Sequence, residues 1–332
     1  MIKLENKKIL LIMPYFYNYE KDIKRKLEEA GAEVFLVDTN LHAHSLYNKL
    51  VMFYTRGLRD KLVFDYYEGV ISKLPVDIDT VFVIKGQWMT DRVIQRLRER
   101  FKSSVFKIYQ WDSVSTFSDQ TRLNPQFDEI YTFDPVDSEK YGWSYRPLFF
   151  KKEECRSSED KRYDLIFLCS MHTRRMQILI KLKELAERYG KTLFGYIYVP
   201  KLQYIKEAVL KRNPLYNGAR EALHFDSLPM EKTNDIYNHT RCFVDYTFPQ
   251  QNGLSMRTIE SVGHRCKLIT NNRHILDTDF YCEENVYIYD PEDFSVPKEF
   301  IEEPYKEIPE EVYERYSLDG FLKDILGNDD LK

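Results

Sequence analysis

At 332 residues the chain is too long for one ordinary core and divides more naturally into two domains. Its 43% hydrophobic and 31% charged residues exclude a disordered or fibrous chain, and a net charge of −4 argues against general binding to nucleic acid or other polyanions. Five cysteines without a C-x-x-C spacing and seven histidines without paired ligand spacing argue against a disulfide framework and a zinc site; buried reduced thiols in a cytoplasmic protein are expected instead.

The N-terminus leads into a short apolar run, residues 9–13, closed by Pro14. It is too short for a signal peptide, and no window reaches the length of a membrane span, so substrates are expected in the cytoplasm or at the inner leaflet. The run reads as a buried parallel strand. Ile23, Leu27 and Ala30 mark a helix closed by Gly31. Residues 34–38 form a second strand. This opening is Rossmann-like but has no G-x-G-x-x-G, so it does not point to NAD or FAD. Residues 46–73 read as helical, aromatic and basic (Tyr54, Arg56, Arg59, Lys61), more as a solvated face than as the edge of a site.

A third strand, 80–84, ends at Lys85 and Gly86. After a polar helix at 91–100, a fourth strand, 105–109, delivers Gln110, Trp111, Asp112 and Ser113. A fifth, 130–133, ends at Asp134 and Pro135. Doubly wound sheets bind ligands beyond the carboxyl ends of their strands, which makes Lys85 and Asp112 site candidates. Asp112 fits a helix N-cap equally well. Asp134 and Asp137 fit a turn or cap better than a site. Trp111 offers a stacking face for a sugar or packs as core.

Residues 151–161 are polar and suit a linker. The next strand, 163–169, ends in Ser170, His172, Arg174 and Arg175, and a helix follows through Ile178, Leu182 and Leu185 to Gly190. Such a strand-to-helix turn suits an anionic ligand; otherwise the arginines merely begin an exposed helix. A strand at 193–199, a helix at 202–210, a short strand at 223–225 and a helix at 229–239 lead to the most informative stretch.

That stretch is a βαβ unit. Residues 241–246 and 266–270 are strands, and between them lie Gly253, Leu254, Ser255 and one short helix. Gly253 permits a positive φ and close approach of a ligand. Ser255 is a good N-cap. Met256, Ile259 and Val262 share an inward face, and Arg257 and Glu260 share another. A helix N-terminus with a glycine and an arginine suits a phosphate, and a carboxylate one turn on suits a ribose diol. The alternative is an ordinary surface pair at i,i+3. A last strand at 286–289 precedes an acidic tail that is helical from 312 to 326.

The segment from Gly253 to Glu260, GLSMRTIE, followed by Lys267-Leu268-Ile269-Thr270-Asn271-Asn272, resembles the donor-binding unit of bacterial GT-B glycosyltransferases, in the CgeB-like and lipopolysaccharide-biosynthesis branch. Tyr109-Gln110-Trp111-Asp112-Ser113 and the run from Phe127 to Gly142 agree with it. The resemblance implies an α/β fold of two Rossmann-like domains facing across a cleft, with a C-terminal helix crossing back to the first. The boundaries expected are 1–155 for the acceptor-side domain, 156–310 for the nucleotide-sugar domain and 311–332 for the helix.

It further implies transfer of a sugar from a nucleotide-diphosphate donor to a polysaccharide or lipopolysaccharide precursor, free or lipid-linked, without cofactor or metal. Ser170, His172, Arg174, Gly253, Leu254, Ser255, Arg257 and Glu260 would hold the donor. Lys85 and Trp111 would lie on the acceptor side, and Asp112 would act as base. Asn252, not glutamate, stands eight residues before Glu260, so retention or inversion stays open. A sugar-nucleotide epimerase on the same frame, or a non-enzymatic nucleotide- or carbohydrate-binding partner, are the alternatives. The D-x-D strings at Asp77–Asp79 and Asp277–Asp279 do not end strong apolar strands, which argues against a metal role. No G-x-S-x-G and no P-loop motif is present.

Overall fold

The computed structural model describes residues 2–327, apart from 42–44, 46, 47, 49, 51–55, 119, 157 and 212. It divides into two compact units. The first comprises Met1–Pro147, Gln250–Gly253 and Asp319–Lys332; the second comprises Leu148–Pro249 and Leu254–Leu318.

The first unit is a six-stranded parallel sheet. Its strands are β1 (Lys8–Met13), β2 (Glu33–Asp38), β3 (Thr80–Ile84), β4 (Val105–Gln110), β5 (Glu129–Thr132) and β6 (Ser144–Tyr145), in the order β2-β1-β3-β4-β5-β6. The central strands are continuous apolar runs because helices cover both faces: all five residues of β3 are buried. The helix Leu318–Leu326 packs on this sheet. Phe321 meets Tyr109 edge-on at 4.8 Å, and the fully buried Lys107 donates to the Ile325 carbonyl at 2.8 Å. A lysine at a helix C-terminus satisfies a carbonyl that has no partner within the helix. This is the C-terminal return to the first unit that the GT-B resemblance implies.

The second unit repeats the plan. Strands β7 (Tyr163–Ser170), β8 (Leu193–Tyr198), β9 (Leu223–His224), β10 (Thr240–Val244), β11 (Lys267–Thr270) and β12 (Val286–Ile288) form a parallel sheet in the order β12-β11-β10-β7-β8-β9. Counted from β7 as first, this is the 3-2-1-4-5-6 order of dinucleotide-binding folds. Its core gathers Leu165, Phe167, Leu179, Leu182, Val244 and Ile269.

Most expected elements fall where the sequence places them, with local differences. The stretch 202–210 divides into an α turn, Lys201–Tyr204, and a π-helical segment, Ile205–Leu210. Within 46–73 the helix Arg56–Ile71 is present, while Leu46 and Tyr54 lie outside the described residues. Asp134 is an N-cap: its carboxylate accepts from the Val136 and Asp137 N–H groups and from Ser113 Oγ.

Candidate functional site

In the second unit the chain leaves β7 toward β8 on one side and returns as β10 on the other. At such a reversal the two connections diverge and open a crevice beyond the strand ends. The residues that converge there come from the ends of β7 and β10 and from the helix Met256–Gly263.

β7 ends at Ser170, whose carbonyl and Oγ accept from Arg175 Nη1 at 3.2 and 3.0 Å. Arg175 lies over the Phe248 ring at 4.7 Å and donates to the Tyr246 carbonyl at 3.5 Å. His172 caps the helix Thr173–Tyr189: its Nδ1 accepts from the Arg174 N–H, so the neutral ring carries its proton on Nε2. Burial, aided by the Arg175 charge, holds this imidazole below its ordinary pKa.

β10 ends at Val244, and Asp245 follows with its side chain only 3% exposed. It accepts from Ser255 Oγ at 2.9 Å and Thr247 Oγ1 at 3.1 Å. Ser255 in turn accepts from the Thr258 N–H and so caps the helix Met256–Gly263, as its position predicts. Arg257 Nη1 lies 3.8 Å from Asp245 Oδ1. Burial alone would lower the Arg257 guanidinium, but Tyr237, Asp245 and Glu260 outweigh it and hold the pKa above its usual range. Burial pushes the Glu260 carboxyl up, opposed by Arg257 and by a hydrogen bond from Tyr237. Burial and the Arg257 charge lower Arg175, with Cys169 and Asp245 opposing.

The decisive feature is a deficit. The Nε donors of both Arg175 and Arg257 are buried without a hydrogen-bond partner, as is that of Arg100 in the first unit; what sets this pair apart is that the two like charges lie close enough for Arg257 to lower Arg175. An unsatisfied buried donor on a charged group costs upward of about 1–3 kcal/mol. Two like charges held this close favour an anion beside them, and a diphosphate is one.

Arg174, the sequence candidate, points elsewhere: it pairs with Glu292 at 2.8 Å on the surface. Its neighbour Arg175 is the one turned inward. Gly253 also differs from expectation. Its φ is not in the left-handed region, and a Cβ there would meet the Phe133 ring at 2.4 Å, so the glycine makes room for an aromatic side chain rather than a ligand. Leu254 is buried at 1% exposure. Sequence reasoning gave no role to Asp245 or Tyr237. A carboxylate directly after an apolar strand could have flagged the first; Tyr237 carried no local signal.

In the first unit Lys85 and Asp112 form an ion pair of 2.7 Å at the ends of β3 and β4. Lys85 has φ +68° and Nζ 5.7 Å from the Phe16 ring centre. Trp111 is core: only 7% is exposed, and it packs against Phe16, Tyr19 and Tyr109. The D-x-D strings are occupied by neighbours within the chain. Asp77 pairs with Lys8, the Asp79 carboxylate accepts from the Lys8 N–H, and Asp279 binds Arg315 and Tyr316. Among the described residues no group of three or more His, Cys, Asp or Glu could hold a metal ion. All five cysteines are free.

No protein-family model matches the sequence, and no curated protein matches it. Solved structures do. HepE from Anabaena, in complex with UDP and glucose, superposes with a TM-score of 0.60 at 10% identity, over 98% of this chain and all of that one (100%). Sucrose-phosphate synthase from Thermosynechococcus elongatus gives 0.56 at 12% identity, over 87% of each chain. UDP-GlcNAc 2-epimerase from Methanocaldococcus jannaschii gives 0.52 at 12% identity, over 89% of this chain and 90% of that one. At these identities the likeness is one of fold: the chain has the GT-B architecture of two Rossmann-like domains.

Proposed function

We propose that the protein is a glycosyltransferase that takes a hexosyl group from a nucleotide-diphosphate donor and gives it to a polysaccharide or lipopolysaccharide precursor. The observation that carries this reading is the pair of buried, unpartnered guanidinium Nε groups of Arg175 and Arg257 at the β7/β10 reversal. They bind the diphosphate. The N–H groups at the start of the helix that Ser255 caps add hydrogen-bond donors, and Glu260 accepts from the ribose hydroxyls. Ser170 and His172 border the diphosphate from the β7 side; Arg174, Gly253 and Leu254 support the site without touching the ligand.

In the reaction the bond between the anomeric carbon and the diphosphate oxygen breaks, and a bond to the acceptor oxygen forms. The diphosphate leaves with the electron pair, and the two guanidiniums stabilise its growing charge. Asp112 takes the proton of the acceptor hydroxyl, and Lys85 holds that carboxylate in place. The guanidiniums do the work a divalent ion does elsewhere, so transfer persists in excess EDTA.

A surface feature supports a peripheral membrane acceptor. Along 201–211 the outward face carries Leu202 (84% exposed), Ile205 (48%), Val209 (57%) and Leu210 (74%), together with Lys201, Lys206 and Lys211. Glu207 turns aside and pairs with Lys211. Aliphatic side chains among lysines suit the headgroup region of an anionic lipid leaflet. Free thiols fit the reducing cytoplasm on that side.

The test is product analysis with a panel of nucleotide sugars, with and without saccharide acceptors. Sugar transfer only when acceptor is present supports the reading. The second reading, an epimerase, draws on the epimerase of the same fold; it predicts a changed sugar nucleotide with donor alone.

A further inference from the structure

The first unit contains a cavity of about 1050 Å³ at the carboxyl ends of β3 and β4, reached by Lys85, Gly86 and Gln110. Its volume stands at the top of the usual range for small-molecule sites, about 300–1,000 Å³. The mouth is strained. Lys85, Gly86 and Trp88 all adopt positive φ, +68°, +58° and +69°, and two of the three are not glycine. Left-handed backbone at non-glycine residues costs energy and persists where a site requires the geometry.

The walls are basic and aromatic. The helix Arg56–Ile71 brings Arg59 and Lys61, and the helix Asp91–Arg100 brings Arg92. Arg59 lies over the Trp88 ring at 5.4 Å and Arg92 over Phe64 at 3.7 Å, which holds both guanidiniums against the wall. With Lys85 and Arg122 the lining carries five cations against the three carboxylates Asp60, Asp65 and Asp91. With Asp112, which pairs with Lys85, counted as well, one positive charge remains in excess on a chain whose net charge is −4. Arg59 is near Asp60, Lys85 is paired with Asp112, and Arg122 with Asp91; Lys61 and Arg92 form no ion pair among the described residues, although the Arg92 charge reaches Glu68.

The floor is unsatisfied. Gln110 is 1% exposed and donates through Nε2 to Asn124 Oδ1 at 2.6 Å. That leaves Gln110 Oε1 and Asn124 Nδ2 buried without partners. Exchanging the two ends of both amides would still leave one acceptor and one donor unpaired.

We propose that this cavity binds the acceptor and that the acceptor is an acidic saccharide, a sugar ring carrying a carboxylate or a phosphate. A sugar ring face lies on Phe117 of the lining, and the anionic group meets Lys61 and Arg92. The word acceptor rests on the transferase reading; binding of an acidic sugar does not.

The experiment titrates the full chain, free of nucleotide, with a digalacturonate, with glucose 6-phosphate and with maltose, by calorimetry. At least one of the two acids binds, maltose binds at least about tenfold more weakly, and Arg92→Ala and Lys61→Ala each weaken the acid by about tenfold, the effect of losing one charge-assisted hydrogen bond. Whichever acid binds tells carboxylate from phosphate. Both side chains are exposed, so the variants keep the fold. Absence of binding by both acids, equal binding of maltose, or unchanged affinity in both variants overturns the proposal. A nucleoside-diphosphate titration on the same preparation separates the readings: its failure removes the transferase reading and leaves the acidic-sugar site standing.

Discussion

Replacing Arg257 by alanine removes one of two guanidiniums from the β7/β10 reversal, and the structure indicates what remains. Asp245 keeps hydrogen bonds from Ser255 and Thr247, so its buried carboxylate stays satisfied. Glu260, already pushed up by burial, keeps the hydrogen bond from Tyr237 and takes a proton more readily once the Arg257 charge is gone. The cost to the fold is therefore modest, and the main loss falls on the ligand. Hydrogen bonds to a charged group contribute about 1.5–3 kcal/mol, so affinity for the nucleoside diphosphate drops by about 10- to 150-fold. Arg175→Ala has an effect of the same order, since its Nε is equally unpartnered. Arg174→Ala serves as the control. It breaks an exposed pair with Glu292, typically worth about 0–1 kcal/mol, and leaves affinity unchanged. Calorimetry with the nucleotide that binds wild type best, with thermal melts to confirm folding, reads all three. Wild-type affinity in folded Arg257→Ala, or a loss in Arg174→Ala matching that in Arg175→Ala, refutes the assignment of the inward arginines.

Asp112→Asn keeps nucleotide affinity but lowers turnover at saturating substrates by about 10²- to 10⁴-fold, the usual effect of losing acid–base catalysis; near-normal turnover makes the Lys85–Asp112 pair purely structural. Leu202→Glu combined with Leu210→Glu abolishes co-sedimentation with vesicles containing anionic lipid, while wild type sediments with these and not with zwitterionic vesicles; retention of the double variant would assign that face to something other than lipid. His264 is buried against Tyr237 and Phe243 and donates from Nδ1 to Asn238, and burial, with Lys161 adding, lowers its pKa to about 3. Its unfolded pKa is about 6.5, so the unfolded chain binds the extra proton and this stability, full above pH 6.5, is lost as pH falls toward 3. Between pH 7 and pH 5 the loss is about 2 kcal/mol in urea unfolding, and it shrinks in His264→Gln; an identical pH slope in that variant contradicts the argument.

What the sequence made legible follows physical range. The βαβ unit around Ser255 could be read because apolar strands, an N-cap and a helical period are local signals, and Ser255 does cap its helix. The parallel sheets could be read because strands covered on both faces are unbroken apolar runs. The choice between Arg174 and Arg175 could not. Adjacent helical residues point about 100° apart, and only the seating of the helix on the sheet decides which one turns inward. Gly253 misled for a related reason: the side chain that needs its missing Cβ is Phe133, far away in sequence. Trp111 and Tyr237 depend on packing from several elements, which no short motif records.

The reversal between β7 and β10 is proposed to hold a nucleoside diphosphate. The direct measurement is the melting temperature of the full chain with each common nucleoside diphosphate and the matching monophosphate. A ligand that binds only the folded state stabilises it by about 2.7 kcal/mol at a hundredfold excess over Kd. One diphosphate is expected to raise the melting temperature well above its monophosphate, and the shift to disappear when Arg175 and Arg257 are both alanine. No shift from any diphosphate at millimolar concentration, or an equal shift in that double variant, contradicts it.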